Sequence, residues 1–191
     1  MHRPVRLAPF FTLSVALLMR RSISASAVIV CREEQVILLH ERGKTVETFA
    51  EHIHTLGGAY IPPGAGVDPD RLSLRSAGMR EVREESQVAL SGDMFPPMMM
   101  AKELHTGFIQ LVFLGFGVRP AALAQLEGNW EGTPLRIPFA ELPAALQAPN
   151  WVPTGKAHIL AWLALGAPNA GRKPRFANLS PSQLFDTIVG V

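Results

Sequence analysis

A single cysteine, Cys31, stands in a chain of 191 residues, which excludes an internal disulfide and any cysteine-rich metal site. Excess charge is nearly absent too. Eighteen Lys and Arg against sixteen Asp and Glu leave a net +2, too little to argue for nucleic acid or an anionic membrane. Acidic residues are missing altogether from Met1 to Arg32, where Arg3, Arg6, Arg20, Arg21 and Arg32 fall. The uncharged run between them, Leu7 to Met19, is broken by Pro9 and is shorter than the roughly 20 apolar residues of a membrane-spanning helix. Such a start fits a mitochondrial transit peptide or a secretory signal cleaved near Ala25-Ser26-Ala27. It also fits a loosely packed extension before a working start near Met19, or an added structural element. Residues 1–21 are set apart as that extension. The expected compartment is the cytoplasm, or the mitochondrion if they form a transit peptide.

What is present is core-forming material. Hydrophobic residues make up 48% of the chain and charged ones 18%, enough for a sizeable core and too apolar for a disordered chain. Ile23 to Val30 alternates apolar and small residues and then turns fully apolar, which reads as a strand entering a core. Gln35 to His40 reads as a second strand, joined to the first by Arg32-Glu33-Glu34 as a hairpin. Glu41 to His54 is polar, a loop or short helix. Leu56 to Gly66 mixes glycines with a double proline and reads as irregular backbone with a short strand at best. Ser73 to Val88 is the best helix, with Ser73 as its cap. Ala101 to Val118 is strand-like, and Pro120 to Asn150 reads as loop with a helix around Phe139 to Leu146. Thr154 to Leu165 closes the series as a core-packing helix. No internal repeat or second domain interrupts this order. The fold class is therefore α/β, an α/β/α sandwich around a mixed sheet over residues 22–166, with 167–191 as a tail.

The chemistry concentrates at Arg80-Glu81-Val82-Arg83-Glu84-Glu85. On a helix, Glu81, Glu84 and Glu85 stand at i, i+3 and i+4 and share one face. Like charges at that spacing repel by about 0.2–0.5 kcal/mol per pair, so arginine, solvent or a divalent cation must compensate. Read alone, the string also fits a solvated face on which Arg80 pairs with Glu84. Three carboxylates that stop short of a full cage suit Mg²⁺, which keeps waters and accepts phosphate oxygens. His40, His52 and His54 offer a second, weaker metal set without matching acids. Tyr60, Trp130 and Trp151 are aromatic enough to stack on a base.

With the upstream Gly/Pro loop, these residues resemble the Nudix hydrolase box, G-x5-E-x7-R-E-U-x-E-E-x-G-U, where U is aliphatic. Gly66 takes the first glycine, Arg80-Glu81 the R-E pair, Val82 the aliphatic position, Glu84-Glu85 the E-E pair and Val88 the last aliphatic position. Two positions depart: Leu72 stands where the box has Glu, and Gln87 where it has Gly. Gln87 suggests a helix that runs on to Val88 or Leu90, and Asp68 or Asp70 could replace the missing acid. The resemblance implies the Nudix sandwich and hydrolysis of a nucleoside diphosphate linked to another group, with Mg²⁺ or Mn²⁺ as cofactor. It implies Glu81, Glu84, Glu85 and a main-chain carbonyl at Gly66 as metal ligands. The catalytic set becomes Arg80, which would orient the carboxylates, Glu84, and a base from a later loop: Glu131 first, then Glu127 and Glu103. It implies no stable nucleic-acid or membrane partner and is compatible with a homodimer. Leu72 and Gln87 also leave open a nucleotide-binding or regulatory module with impaired catalysis.

Overall fold

The computed structural model describes residues 23–61, 73–90, 96–102 and 107–171. The extension 1–21, Gly66, Asp68, Asp70, Leu72, Glu103 and residues 172–191 lie outside the described residues.

Strand β1 (Ile23–Cys31) is the middle of the sheet, and every residue in it is buried. Its alternation serves two cores. Ala25, Ala27 and Ile29 face one side, and Val28 and Val30 the other. Strand β2 (Val36–Arg42) returns antiparallel, with Ile29 opposite Leu38 and Cys31 opposite Val36. Short strands β3 (Ile53–His54) and β4 (Leu56–Ala59) follow; β3 pairs with β2, and β4 runs antiparallel to β1. Strand β5 (Met98–Lys102) is an edge strand on β6 (Ile109–Gly117), which runs parallel to β1. Strand β7 (Gly132–Pro138) pairs along the length of β2. The result is a mixed seven-stranded sheet of order β3-β2-β1-β6-β5, with β4 on β1 and β7 on β2.

Helices cover both faces. Helix α1 (Leu74–Ser86) lays Ala77 and Val82 against Ala25, Ala27, Leu38, Leu56 and Phe113. The short helix α2 (Pro120–Leu123) adds Leu123 to that side. On the other face, α3 (Leu142–Gln147) and α4 (Pro153–Ala164) bring Leu142, Leu146, Ile159, Trp162 and Leu163 onto Val28, Val30, Ile37, Leu39 and Leu114. This is the expected α/β/α sandwich. Ala25-Ser26-Ala27, which resembles a cleavage site, is a piece of the central strand. Its small side chains let α1 approach: a Cβ on Gly78 would lie 3.3 Å from that of Ala25.

Three expectations need revision. The loop expected from Pro120 to Asn150 contains β7, whose Pro134 and Pro138 hide the strand pattern; proline is tolerated there because β7 pairs with β2 alone. The polar stretch from Glu41 to His54 begins and ends in strand. Packing also continues past residue 166: Ala167 and Ala170 are buried, and Asn169 Nδ2 donates to the Gly115 carbonyl at 2.6 Å.

Two histidines are buried where α4 meets β3. His158 Nδ1 lies 2.8 Å from Thr55 Oγ1, and the His54 and His158 rings meet edge to face at 5.8 Å. Burial lowers His54 to about 4 and His158 to about 3, against an ordinary value of 6.5. Between those values the unfolded chain binds more protons than the folded one, so this contribution to stability falls as pH drops below 6.5. The buried acids of α1, described below, work in the opposite sense, so the contribution is isolated by difference. The intact protein's stability advantage over His158→Asn is expected to shrink by about 2 kcal/mol between pH 6.5 and pH 5. Urea midpoints of both proteins across that range check it.

Candidate active site on the first helix

The local sequence fixes both ends of α1. At its start the Ser73 hydroxyl accepts the Ser76 N–H at 3.3 Å, which satisfies a donor the helix cannot. At its end the helix stops at Ser86, and Gln87 adopts the left-handed conformation (φ 60°, ψ 6°) while its N–H donates to the Arg83 carbonyl. The expectation that a non-glycine residue there would let the helix run on is therefore corrected. Turning the chain at Gln87 buries Val88 and Leu90, which outweighs the roughly 1–2 kcal/mol that a side chain costs in this region. Gln87→Gly is accordingly expected to stabilise the fold by about 1 kcal/mol, read as a higher urea midpoint.

Between those ends, Glu81, Glu84 and Glu85 occupy one face of α1. Glu85 is 4% exposed; its Oε2 accepts the Gly57 N–H at 2.7 Å, and its Oε1 lies 3.3 Å from His40 Nδ1. Burial, helped by the nearby Arg42 charge, holds His40 down to about 4. At neutral pH it is therefore an uncharged ring beside Glu85 and not an ion-pair partner. Glu81 packs directly on Gly58, where any Cβ would overlap its carboxylate. Arg80 spans the face. Its Nη2 is 2.8 Å from Glu81 Oε1 and donates to the Ala59 carbonyl at 2.9 Å, while its Nη1 donates to Glu84 Oε2 at 2.9 Å. The i+4 pair expected from sequence is thus present, and the same guanidinium also ties the helix to the end of β4.

Glu131 arrives from the turn before β7. Gly43 N–H donates to the Glu131 carbonyl, Glu131 N–H to Asn129 Oδ1 at 2.8 Å, and Asn129 Nδ2 to the Glu84 carbonyl at 3.0 Å. This turn brings Glu131 close enough for its charge to act on both Glu81 and Glu85. Glu127 is exposed, its backbone N–H on the Ser86 carbonyl. The other candidates scatter. His52 bonds the Ala50 carbonyl, His54 faces Thr55 and Thr154, and Trp151 donates to the Ala145 carbonyl. Trp130, 72% exposed, sits on the Asn129 turn itself.

The electrostatics of the face are those of crowded, buried acids. Burial pushes Glu81 up to about 7 even though Arg80 pulls it down, with Glu84 and Glu131 adding to the rise. Burial likewise raises Glu85 well above the usual carboxylate range, against the pull of the Gly57 N–H. Among the described residues no three His, Cys, Asp or Glu side chains converge into a ready-made cage. Arg80 accounts for much of this, because it draws Glu81 and Glu84 to itself. The donors fit a hard divalent cation: they are carboxylate oxygens, and of the two desolvated acids, Glu81 and Glu85, Arg80 pairs with Glu81 alone. The sequence left out Gly57 and Gly58, which appeared only as irregular backbone. Their doublet just before the Gly/Pro loop was the available signal, since close approach of backbone to side chain selects glycine.

This architecture has known counterparts. The chain is similar to a MutT protein from Methanosarcina mazei Go1, with 20% identity over 74% of this chain and 92% of that one, at a TM-score of 0.55. It is similar to a Nudix hydrolase from Nitrosomonas europaea at 19% identity, over 73% of this chain and 86% of that one, with a TM-score of 0.50. A further Nudix hydrolase structure from Nitrosomonas europaea matches at 10% identity over 74% and 69% of the two chains, with a TM-score of 0.51. No family model matches the sequence, and no curated protein does. The chain has the fold of the Nudix hydrolases.

Proposed function

We propose that this protein is a Nudix hydrolase that cleaves the pyrophosphate bond of a nucleoside diphosphate linked to another group, by attack of water at phosphorus. The observation that carries the reading is the carboxylate face of α1. Glu81 and Glu85 are buried against the bare backbone of Gly57 and Gly58, and Glu131 is delivered to them from a separate turn. Burying acids together is unfavourable in a purely structural helix, which would replace them or leave them in solvent.

In this reading Glu81, Glu84 and Glu85 hold Mg²⁺ or Mn²⁺, with a main-chain oxygen at Gly66 as a further ligand. A divalent ion held there would supply charge neutralisation at the pyrophosphate and a lowered pKa for an attacking water. The protein's own groups do the rest. The Gly57 N–H and His40 fix the Glu85 carboxylate, and the Asn129 turn holds Glu131 as the proton acceptor. Arg80 is a positioning residue: it bridges Glu81, Glu84 and the β4 carbonyl and holds the face in register. The test is product release from a panel of nucleoside diphosphate derivatives with Mg²⁺ or Mn²⁺. Turnover that a chelator abolishes supports the reading, and a metal-bound protein that turns over no panel member favours the binding-module alternative.

A further inference from the structure

Strand β2 is apolar from Val36 to Leu39, and His40 interrupts that run while still inside the sheet. Alternation puts Val36, Leu38 and His40 on the face that α1 covers, where the first two belong to the core. His40 is 1% exposed, so packing alone would favour an aliphatic side chain here. The ring also carries a defect, because its Nε2 is buried and makes no hydrogen bond. Buried polar atoms are satisfied in the great majority of cases, so a histidine kept at this position serves something other than packing.

Its two ends touch the two halves of the site. Nδ1 lies 3.3 Å from Glu85 Oε1 on α1. Nε2 rests against Gly132, the first residue of β7, where a Cβ would come within 2.6 Å of it. Gly132 follows Glu131 directly in the chain. We infer that His40 is a positioning residue that couples these halves: its Nδ1–H fixes the orientation of the Glu85 carboxylate, and its far edge, seated on Gly132, sets how close Glu131 stands to it. This rests on the hydrolase reading for the roles of Glu85 and Glu131, and deepens it by naming the side chain that links them. A carboxylate that holds a cation is ionised and can only accept, so the single hydrogen of the uncharged ring belongs on Nδ1. Nε2 then keeps a lone pair that no donor reaches, as observed. With the Gly57 N–H on Oε2 and His40 on Oε1, each Glu85 oxygen is held once and retains a lone pair for a cation.

The experiment measures Mn²⁺ affinity by calorimetry for the intact protein, His40→Leu and His40→Asn, with kcat and KM on the panel member that turns over. Leucine fills the position without a polar atom. Asparagine puts its amide where Nδ1 stands and omits the outer half of the ring. His40→Leu is expected to bind Mn²⁺ roughly tenfold or more weakly, the loss that follows when the partner of a metal-holding group is removed, and to melt no lower than the intact protein. His40→Asn should recover most of that affinity and still lose roughly tenfold in kcat at an unchanged KM, because nothing then backs Gly132. Nitrogen-15 NMR of the intact protein with saturating Mg²⁺ should show His40 as the Nδ1–H tautomer. An Nε2–H tautomer overturns the inference even if both variants fail to fold. So does Mn²⁺ affinity that is unchanged in His40→Leu, or no better in His40→Asn than in His40→Leu. Full kcat in His40→Asn overturns the link to Glu131. Turnover by the intact protein with any of these results would sink this inference alone. Mn²⁺ affinities in the expected order without turnover of any substrate would sink the hydrolase reading alone, and an intact protein that binds no Mn²⁺ would sink both.

Discussion

Glu85→Gln is expected to lower turnover by roughly 10³-fold or more while leaving the fold as stable as before, or more so. The two halves of that expectation have one cause. Burial makes the ionised Glu85 carboxylate unfavourable, and the Gly57 N–H, the Arg42 charge and a neutral His40 do not offset that burial. A glutamine keeps an oxygen for the Gly57 N–H and a polar group for His40, so packing and hydrogen bonds survive. It removes the negative charge a cation would need, and charge stabilisation at phosphorus is worth several kcal/mol. A helix whose acids served structure alone would show a change in neither quantity, and one held together by a Glu85 ion pair would lose stability. Turnover and a thermal melt on the same preparation separate these outcomes.

Gly57→Ala and Gly58→Ala are expected to fail in different ways, although the residues are adjacent. Gly57 has φ +148°, which strains any side chain, and a Cβ there would overlap the Ala25 carbonyl and press on the Ser26 Cα at 2.5 Å. Those are backbone atoms of the central strand and cannot move aside. Gly57→Ala should therefore destabilise the fold by about 3 kcal/mol or more, or roughly 6–12 °C in Tm. The atoms nearest a Cβ on Gly58 belong to the Glu81 carboxylate, the far end of a flexible side chain. Glu81 can rotate away, so Gly58→Ala should melt within a few degrees of the intact protein and lose most of its turnover, because the displaced carboxylate leaves the site. Equal losses of stability in both variants would mean that Glu81 is held by more than the bare face of β4.

Much of this site was legible in the sequence because helical spacing is a local property. The i, i+3, i+4 placement of Glu81, Glu84 and Glu85, the Ser73 cap and the Arg80–Glu84 pair all follow from residues within a few turns of one another. The alternation of β1 and the apolar run of β2 likewise marked their strands and, through them, the sandwich. What did not show was set by distant partners. β7 is a strand because β2 offers it a ladder, although Thr133, Pro134 and Pro138 read as loop. The Glu85–Gly57 hydrogen bond spans 28 residues and cannot be inferred from either segment. Gln87 shows the limit from the other side. Its propensity argues against a left-handed turn, and the burial of Val88 and Leu90 overrules it. Glu131 stood first among three candidate loop acids on sequence, and its placement beside Glu81 and Glu85 comes from the Asn129 turn and its bonds to Glu84 and Gly43.

The most direct test of the central claim is a side-by-side measurement of product release from nucleoside diphosphate derivatives, by the intact protein and by Glu85→Gln, with Mn²⁺ present. The account predicts turnover of at least one derivative by the intact protein, lost on adding a chelator and lost in the folded variant. Turnover that survives in Glu85→Gln would place the chemistry elsewhere and contradict it.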